Sequence, residues 1–315
     1  LLSALRVGPH QYSLTWKPSP EATGYWVWFS EDGAVWRRDQ AEFVAGTTHR
    51  FSLDANQFVL NSDGAVHVRV TAASDAGESE PSSILAVAAS DNPTRVLVID
   101  GNDRWQQEPV SENPNGEASY IVSKLSEPLV ANGLSFDSAT SAGFANDPNL
   151  LSGYDLVIWS VGEDSEVHDS LDGQEQSAIT SFLEGGGALI LSGAEIGWDL
   201  VARGQTGEPE FYAGTLHAAY QGDDGGSFLV DGLGAFENLG RISFLTPDDT
   251  VVSYPDVVVP KPGALQVFSY AGGGGGAGIF SSADPALLYL PFPLESVDDP
   301  EARASIIGDA LESWF

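Results

Sequence analysis

The sequence contains no cysteine, and this absence excludes several kinds of chemistry. Without thiols the chain forms no disulfide bond, binds no iron–sulfur cluster or thiolate zinc, and has no thiol nucleophile. Methionine is also absent, so Leu1 stands where an initiator residue would be expected. Both absences fit a mature secreted or cell-surface chain whose signal peptide has been removed, and we expect an extracellular location.

Basic residues are scarce, and the resulting charge excludes one large class of partners. The chain has 13 lysines and arginines against 45 aspartates and glutamates, a formal net charge of −32. Such a charge repels phosphate backbones, so we expect no binding to nucleic acid. No apolar run reaches the roughly 18 residues that span a bilayer, so we expect no membrane span. The acids are spread along the sequence, which is typical of a solvated surface, although converging acids can also hold divalent cations.

The apolar residues that are present suffice for two folded domains. The chain has 315 residues, of which 42% are hydrophobic, and this length allows two separate cores. Short β-rich runs alternate with turn signals up to residue 88, which predicts a two-sheet antiparallel sandwich over residues 1–88, followed by a polar linker at 89–93. The predicted strands are Gln11–Trp16, Tyr25–Ser30, Ala34–Arg37, Thr48–Leu53, Ala65–Ala73 and Ser83–Val87.

Three stretches of this first region resemble fibronectin type III domains. YSLTW at 12–16 is similar to the second strand of that family with its buried tryptophan, and GYWV at 24–27 is similar to the third. VRVTAASDAGESEPS at 68–82 is similar to the sixth strand, its turn and the start of the seventh. Val66 stands where the family usually has its corner tyrosine. The resemblance implies an immunoglobulin-like sandwich that serves as a spacer or a binding surface.

Three tryptophans of the first region, Trp26, Trp28 and Trp36, have two interpretations. On an exposed sheet face they would form a stacking platform for sugars or protein. In a sandwich they would more commonly pack into the core or onto a half-buried face.

From residue 94 the pattern changes to alternating strands and helices, which predicts a mostly parallel sheet with helices on both faces. The predicted strands are Arg95–Asp100, Leu134–Ser138, Tyr154–Val161, Ala188–Leu191 and Leu287–Leu290. The predicted helices are Glu117–Ala131, Gly173–Glu184 with Asp172 as its cap, and Asp298–Phe315. The glycine-rich region Phe211–Phe280 predicts an inserted set of hairpins. The expected fold class is multidomain, an all-β sandwich plus a doubly wound, flavodoxin-like α/β domain over 94–315 with a β-rich insertion.

A glutamate occupies the tip of the most informative turn in this second region. The segment GALILSGAEIGW at 187–198 predicts a buried strand, a tight turn and the start of a helix. In an open α/β sheet such a turn projects one side chain into the crevice where ligands bind. Enzymes that attack through this elbow place Ser or Cys there. This chain instead has Glu195, between Gly193 and Gly197.

The second region resembles the class I glutamine amidotransferase-like fold, most closely that of secreted bacterial proteins that also carry fibronectin-type modules. The resemblance depends mainly on SGAEIGWDL at 192–200, with weaker matches in VIDGNDRW at 98–105, GEDS at 162–165, YPDV at 254–257 and FPLE at 292–295. It implies that the nucleophilic cysteine of the family falls at Glu195 and the catalytic histidine at Pro293, while Glu295 is retained. The implied site is degenerate and has no glutaminase or cysteine-hydrolase chemistry.

Several acids follow the carboxyl ends of predicted strands, where they would face one cleft. They are Asp100, Asp103, Glu163, Asp164, Glu195 and Asp199. Three interpretations remain open. Two acids at a set separation would hydrolyse glycosidic bonds, whereas about six to eight converging oxygens would bind a cation, for which Ca²⁺ is the best match. A relict pocket would instead use the acids to cap helices or to pair with Arg104 and Arg203.

These observations favour a secreted or cell-surface accessory protein that acts by binding or assembly and requires no cofactor. We expect its partners to be proteins or polysaccharides at the cell surface, and self-assembly is a further option. The alternative is a carboxylate-dependent extracellular hydrolase acting on polysaccharide or cell-wall material. An ion bound among Asp100, Glu163, Glu195 and Asp199 would favour binding, whereas acids paired across a sugar-sized groove would favour hydrolysis.

The purified protein should not hydrolyse glutamine. The reason is that Glu195 and Pro293 stand where the resemblance places a thiol and its base, and a carboxylate is not activated as a thiolate is. Ammonia release from glutamine, measured against a blank, should stay at background. Release above the blank that is abolished by Glu195→Ala would contradict this expectation.

Overall fold

The computed structural model describes residues 1–46, 48–57, 64–103, 120–162, 164, 169–244 and 254–315. The chain divides into two compact units. The first comprises Leu1–Asp100 and Trp105–Asp147, and the second comprises Gly101–Arg104 and Pro148–Phe315. This division does not coincide with the linker expected at 89–93, so the domain boundary drawn from the sequence stays a prediction.

The first unit consists mainly of antiparallel strands. They are β1 (Ser3–Gly8), β2 (Gln11–Thr15), β3 (Gly24–Ser30), β4 (Glu42–Ala45), β5 (Arg50–Asp54), β6 (Ala65–Ser74), β7 (Gly77–Glu78), β8 (Leu85–Ala88), β9 (Arg95–Asp100) and β10 (Ser135–Thr140). Strand β2 lies between β1 and β5, β3 lies between β4 and β6, and β6 also pairs with β7 and β8. Alternate side chains of β3, those of Tyr25, Val27 and Phe29, are buried, as expected of a strand with one face on a core.

Strand β10 joins the beginning of the first unit to its end. It runs parallel to β9 along its whole length and antiparallel to both β1 and β8. The Ser138 hydroxyl donates to the Ala86 carbonyl at 2.6 Å and accepts from the Ala86 amide at 3.0 Å. Two helices, α1 (Ile121–Ala131) and α2 (Ser141–Asn146), flank this strand in sequence. In α1 the buried Ser126 hydroxyl lies 2.9 Å from Nε2 of His67 on β6, so β10 and α1 pack with strands expected in a separate sandwich.

The second unit mixes parallel and antiparallel strands. Its strands are β11 (Leu156–Ser160), β12 (Ala188–Ser192), β13 (Ala218–Gly222), β14 (Leu229–Gly232), β15 (Arg241–Ser243), β16 (Val257–Pro260), β17 (Leu265–Tyr270), β18 (Gly276–Ser282) and β19 (Ala286–Leu290). Its α-helices are α3 (Gly173–Glu184), α4 (Glu208–Gly214) and α5 (Pro300–Trp314). Strands β11, β12 and β19 are parallel, whereas β18, β17, β14 and β15 continue from β19 in antiparallel order. Strands β13 and β16 form a separate antiparallel pair.

The expected fold class is wrong. The structure is mostly mixed β-sheet and only 28% helical, so it is not a doubly wound, flavodoxin-like α/β domain. The region Phe211–Phe280, expected to be an insertion, supplies β14, β15, β17 and β18, which pair in series with the core strand β19. A short apolar run in the sequence indicates a buried strand but not its direction. The sequence therefore does not show whether neighbouring strands pair in parallel or antiparallel.

Local predictions succeeded where a side chain and the backbone favour the same structure. Asp172 caps α3 as expected, accepting from the amides of Gln174 and Glu175.

The strand expected at Ala34–Arg37 does not form. Its first amides, those of Ala34 and Val35, instead donate to Oδ1 of Asp32 at 2.9 and 2.8 Å, because an aspartate side chain competes for nearby backbone donors.

Among the residues that the structure describes, no helix is long and apolar enough to cross a bilayer.

Two fragments of the first region should differ in stability. We expect residues 1–147 to melt cooperatively at a higher temperature than residues 1–93, because β10 covers the edges of β1 and β8. Circular dichroism melts of both fragments measure this difference. Equal melting temperatures would instead support the boundary expected at 89–93.

Candidate functional site

The turn after β12 holds Glu195 in a backbone conformation that non-glycine residues rarely adopt. Strand β12 ends at Ser192, and Glu195 has a φ of 61° in the left-handed region. A π-helix, Trp198–Ala202, follows. Gly193 has a φ of 155°, and a Cβ atom at this position would overlap the side chain of Val161. The sequence therefore forms a sharp elbow that leaves Glu195 half-buried, at a cost of order 1–3 kcal/mol for such strained backbone.

The carboxyl ends of three parallel strands meet at this elbow. The amide of Gly193 donates to the carbonyl of Leu290 at the end of β19, at 3.2 Å. The amide of Ala194 donates to the carbonyl of Gly162, just after β11, at 2.9 Å. These bonds place Glu195 at the carboxyl ends of the parallel strands β11, β12 and β19.

A buried carboxylate and two serines lie beneath the elbow. The Ser160 hydroxyl, at the end of β11, donates to Oε2 of Glu295 at 2.7 Å. The Ser192 hydroxyl, at the end of β12, donates to Ser160 Oγ at 3.0 Å. Glu295 belongs to a short 3₁₀ helix, Leu294–Ser296, which begins after Pro293. Both serines are fully buried, so neither hydroxyl is presented to a substrate.

Asp256 is a second buried carboxyl at the elbow. Its Oδ2 accepts from the amides of Gly197 at 2.5 Å and Trp198 at 3.3 Å, at the start of the π-helix. Its Oδ1 is buried and has no hydrogen-bond partner. Burial raises the pKa of Asp256 well above its usual range, the two amides oppose this change, and the nearby charge of Glu195 adds to it. Asp256 therefore holds its proton to higher pH than an exposed aspartate does.

Tyrosines surround the carboxyl of Asp256. A Cβ atom on Gly197 would lie 2.7 Å from Tyr212 Oη, 2.9 Å from Tyr220 Cδ2 and 3.0 Å from Asp256 Oδ2, so these groups converge on one point. The Tyr270 hydroxyl donates to the Asp256 carbonyl at 2.8 Å. Burial first, and then the negative charge of Asp256, raises the pKa values of Tyr212 and Tyr270 well above the usual range. All of these hydroxyls remain protonated.

Asp199 has partners of its own and serves the local structure. Its Oδ2 accepts from both the amide and the hydroxyl of Ser170 at 2.8 Å. Its Oδ1 lies 3.5 Å from a guanidinium nitrogen of Arg203. Burial raises the pKa of Asp199, and the Ser170 bonds and Arg203 oppose the rise. The expected pairing of Arg203 with a pocket acid therefore occurs at Asp199.

The other acids expected in the cleft lie in different surroundings. Asp164 is buried, and its Oδ2 accepts from the amide of Asp103, after β9, at 3.0 Å. Asp100 is buried at the end of β9 in the first unit. Glu163 and Arg104 lie outside the described residues. The described structure thus gives Asp164 and Asp199 structural partners.

Asp256 was not among the acids expected in the site. Its sequence signals are the weak match YPDV at 254–257 and its position before the apolar run Val257–Val259. An acid within an apolar stretch is commonly buried and paired with another group. The sequence does not indicate, however, that the partner of Asp256 is the backbone of an elbow 59 residues earlier.

A metal site receives no support from the described residues. No group of three or more histidine, aspartate or glutamate side chains there is placed to hold a metal ion.

The three tryptophans of the first unit are half-buried and stacked against arginines. The guanidinium of Arg38 lies 3.7 Å from the ring centroid of Trp26 and 5.0 Å from that of Trp28. That of Arg69 lies 5.7 Å from the Trp28 centroid and 4.2 Å from the Trp36 centroid. The guanidinium groups therefore cover faces of the tryptophan rings on which a sugar would stack.

Comparisons with known proteins give only partial similarities. No family model and no curated protein matches the chain. The fn3 domain of the human collagen alpha-1(XX) chain is 19% identical over 30% of this chain and 86% of that domain, with a TM-score of 0.23. A myokine structure is 18% identical over 28% of this chain and 90% of the myokine, with a TM-score of 0.22. A pectate lyase from Pectobacterium carotovorum is 11% identical over 33% of this chain and 38% of the lyase, with a TM-score of 0.22. The structural neighbours thus include a fibronectin type III domain.

The variant Asp256→Asn should become more stable relative to the wild type as pH rises. The unfolded chain releases this proton near pH 4, whereas the folded protein retains it to higher pH. The stability contributed by protonated Asp256 is therefore complete below about pH 4 and is lost as pH rises towards the folded pKa. Thermal melts between pH 5 and pH 8 should show a difference between the two proteins that grows with pH.

A matched control for this measurement is Asp231→Asn. Asp231 is paired with Arg241 on the surface, and this pairing lowers its pKa, so the control should show no such growth. A difference between Asp256→Asn and wild type that stays constant with pH would contradict the raised pKa of Asp256.

Proposed function

We propose that the chain is a secreted or cell-surface accessory protein that acts by binding, with the elbow as its binding site. The observation that carries the proposal is the side chain presented at the elbow, the half-buried carboxylate of Glu195 at a φ of 61°. Nucleophilic attack by a hydroxyl or thiol requires an accessible group with a base beside it. The chain has no thiol, and the serines at the strand ends, Ser160 and Ser192, are buried.

The first unit contributes a fibronectin type III-like module to this proposal. Strands β1, β2 and β5 pair in one group, and β4, β3 and β6 pair in another. Two groups of antiparallel strands in this order are typical of an immunoglobulin-like sandwich, which would serve here as a spacer. The arginines stacked on Trp26, Trp28 and Trp36 favour that spacer role over a sugar platform.

The charge of the chain supports a partner at the cell surface that is basic or rich in hydroxyl groups. The second unit holds 27 of the 45 acids and only 5 of the 13 basic residues. A surface of this sign attracts cationic partners and increases their rate of association. Carboxylates at the elbow also accept hydrogen bonds from hydroxyls and ammonium groups.

A second candidate function, hydrolysis of polysaccharide or cell-wall material, is favoured by one observation. Glu195 and Asp256 lie within electrostatic range of each other, and burial raises the pKa of Asp256. Glycosidases use two carboxyls, one of which has a raised pKa and acts as the acid. Against this candidate, the Asp256 side chain is fully buried, so it does not reach a glycosidic oxygen.

An assay with insoluble cell-wall material distinguishes the binding function from the hydrolase function. We expect the wild type to sediment with it at low salt, Glu195→Gln to sediment several-fold less, and neither to release reducing ends. The reason is that Glu195 would supply a binding contact. The control Asp231→Asn removes the same charge at a surface ion pair and should sediment as the wild type does. Release of reducing ends that Glu195→Gln abolishes would establish the hydrolase instead.

A further inference from the structure

Two backbone amides just after the elbow need acceptors from outside their own helix. Helical structure begins at residue 196, and Gly197 already has helical backbone angles, with φ −73° and ψ −37°. The carbonyl of Glu195 accepts from the amide of Asp199 at 2.8 Å. Glu195 therefore occupies the N-cap position, and Gly197 and Trp198 are the second and third helical residues. The amides of these two residues are the ones that an N-cap side chain usually binds.

The side chain that binds these amides comes from a distant segment. Oδ2 of Asp256 accepts from the amide of Gly197 at 2.5 Å and from that of Trp198 at 3.3 Å. An N-cap residue that binds its own helix normally has β-region backbone angles, whereas Glu195 has a φ of 61°. Asp256 thus takes over the capping role of a residue whose backbone departs from the usual N-cap conformation.

The carboxyl of Asp256 is held in place by bonds to other parts of the second unit. The Asp256 carbonyl accepts from the hydroxyl of Tyr270 on β17 at 2.8 Å. The carbonyl of Pro255 accepts from the amide of Gly225 at 2.9 Å. Gly197 allows the close approach, since a Cβ atom there would lie only 3.0 Å from Oδ2 of Asp256. The cap is therefore fixed by contacts that do not involve the elbow.

We propose that Asp256 is a positioning residue for Glu195, because it caps the elbow helix in place of the N-cap residue and thereby allows Glu195 to keep its left-handed backbone conformation. This inference rests on the proposed binding function of the elbow. Without the cap, residue 195 would relax towards β-region angles, and its carboxylate would turn to the two vacated amides instead of the ligand.

Two substitutions of Asp256 separate its role as an acceptor from its charge. Asp256→Asn retains a side-chain oxygen that accepts from the amides, whereas Asp256→Ala has none, and neither carries a carboxyl. Hydrogen exchange at the amides of Gly197 and Trp198 should be about tenfold faster in Asp256→Ala, because a hydrogen bond is lost. It should stay near the wild-type rate in Asp256→Asn. A crystal structure of Asp256→Ala should show residue 195 outside the left-handed region.

Sedimentation with insoluble cell-wall material tests the effect on binding. Asp256→Ala should sediment several-fold less than the wild type, as Glu195→Gln does, and Asp256→Asn should restore most of the sedimentation. The double variant of Asp256→Ala and Glu195→Gln should sediment as Glu195→Gln alone does, because both changes act on the same contact.

A matched control is Asp172→Ala, which removes a cap of the same kind from α3. Oδ1 of Asp172 accepts from the amides of Gln174 and Glu175, both at 2.8 Å. This variant should lose stability in thermal melts but sediment as the wild type does. If Asp256→Ala does not fold, Asp256→Leu replaces it, since leucine fills a similar volume and also has no acceptor.

Three results would overturn the positioning role. They are equal losses of sedimentation in Asp256→Asn and Asp256→Ala, additive losses in the double variant, and a residue 195 that stays left-handed in Asp256→Ala. If the wild type sediments and these results appear, only this inference fails. If the wild type does not sediment, the proposed function fails, and the exchange rates and the crystal structure still decide whether Asp256 holds the elbow.

Discussion

The elbow depends on the buried carboxylate of Glu295. Its Oε2 accepts from the hydroxyl of Ser160, which in turn accepts from the hydroxyl of Ser192. One acid thus connects the ends of two neighbouring strands to the turn that follows a third. A carboxylate in this position requires its donors to remain in place, because an unpartnered buried charge is strongly unfavourable. The same bonds that satisfy Glu295 therefore fix the strand ends from which the elbow begins.

Excess negative charge is distributed in the structure in two distinct ways. Acids such as Asp199 and Asp164 are buried with donors from neighbouring loops, so they hold the chain together. Acids such as Asp223 and Asp224 remain exposed and contribute mainly to the field around the second unit. Asp256 belongs to neither group, because it is buried with one oxygen bound and one oxygen without a partner. That intermediate state makes it sensitive to both pH and nearby charge.

The sequence predicts local elements better than their assembly. The cap at Asp172 and the strand Arg95–Asp100 follow from residue types a few positions apart, and both occur in the structure. Strand direction and partners depend on residues distant in sequence, which explains why the doubly wound class was wrong. The elbow at Glu195 was readable from its two glycines, whereas Asp256 was not, because its role depends on a contact across 59 residues.

The pairing of β1 with β10 has a consequence for how the chain emerges from the ribosome. Ser3 and Ala4 lie opposite Ala139 and Ser138, so β1 gains one of its neighbours only after about 130 further residues have been synthesised. At typical elongation rates of roughly 5–20 residues per second this interval lasts several seconds. During that time one edge of β1 has unpaired backbone groups, which are a common starting point for aggregation. Chaperone binding to the nascent chain would therefore be most useful before Thr140 emerges.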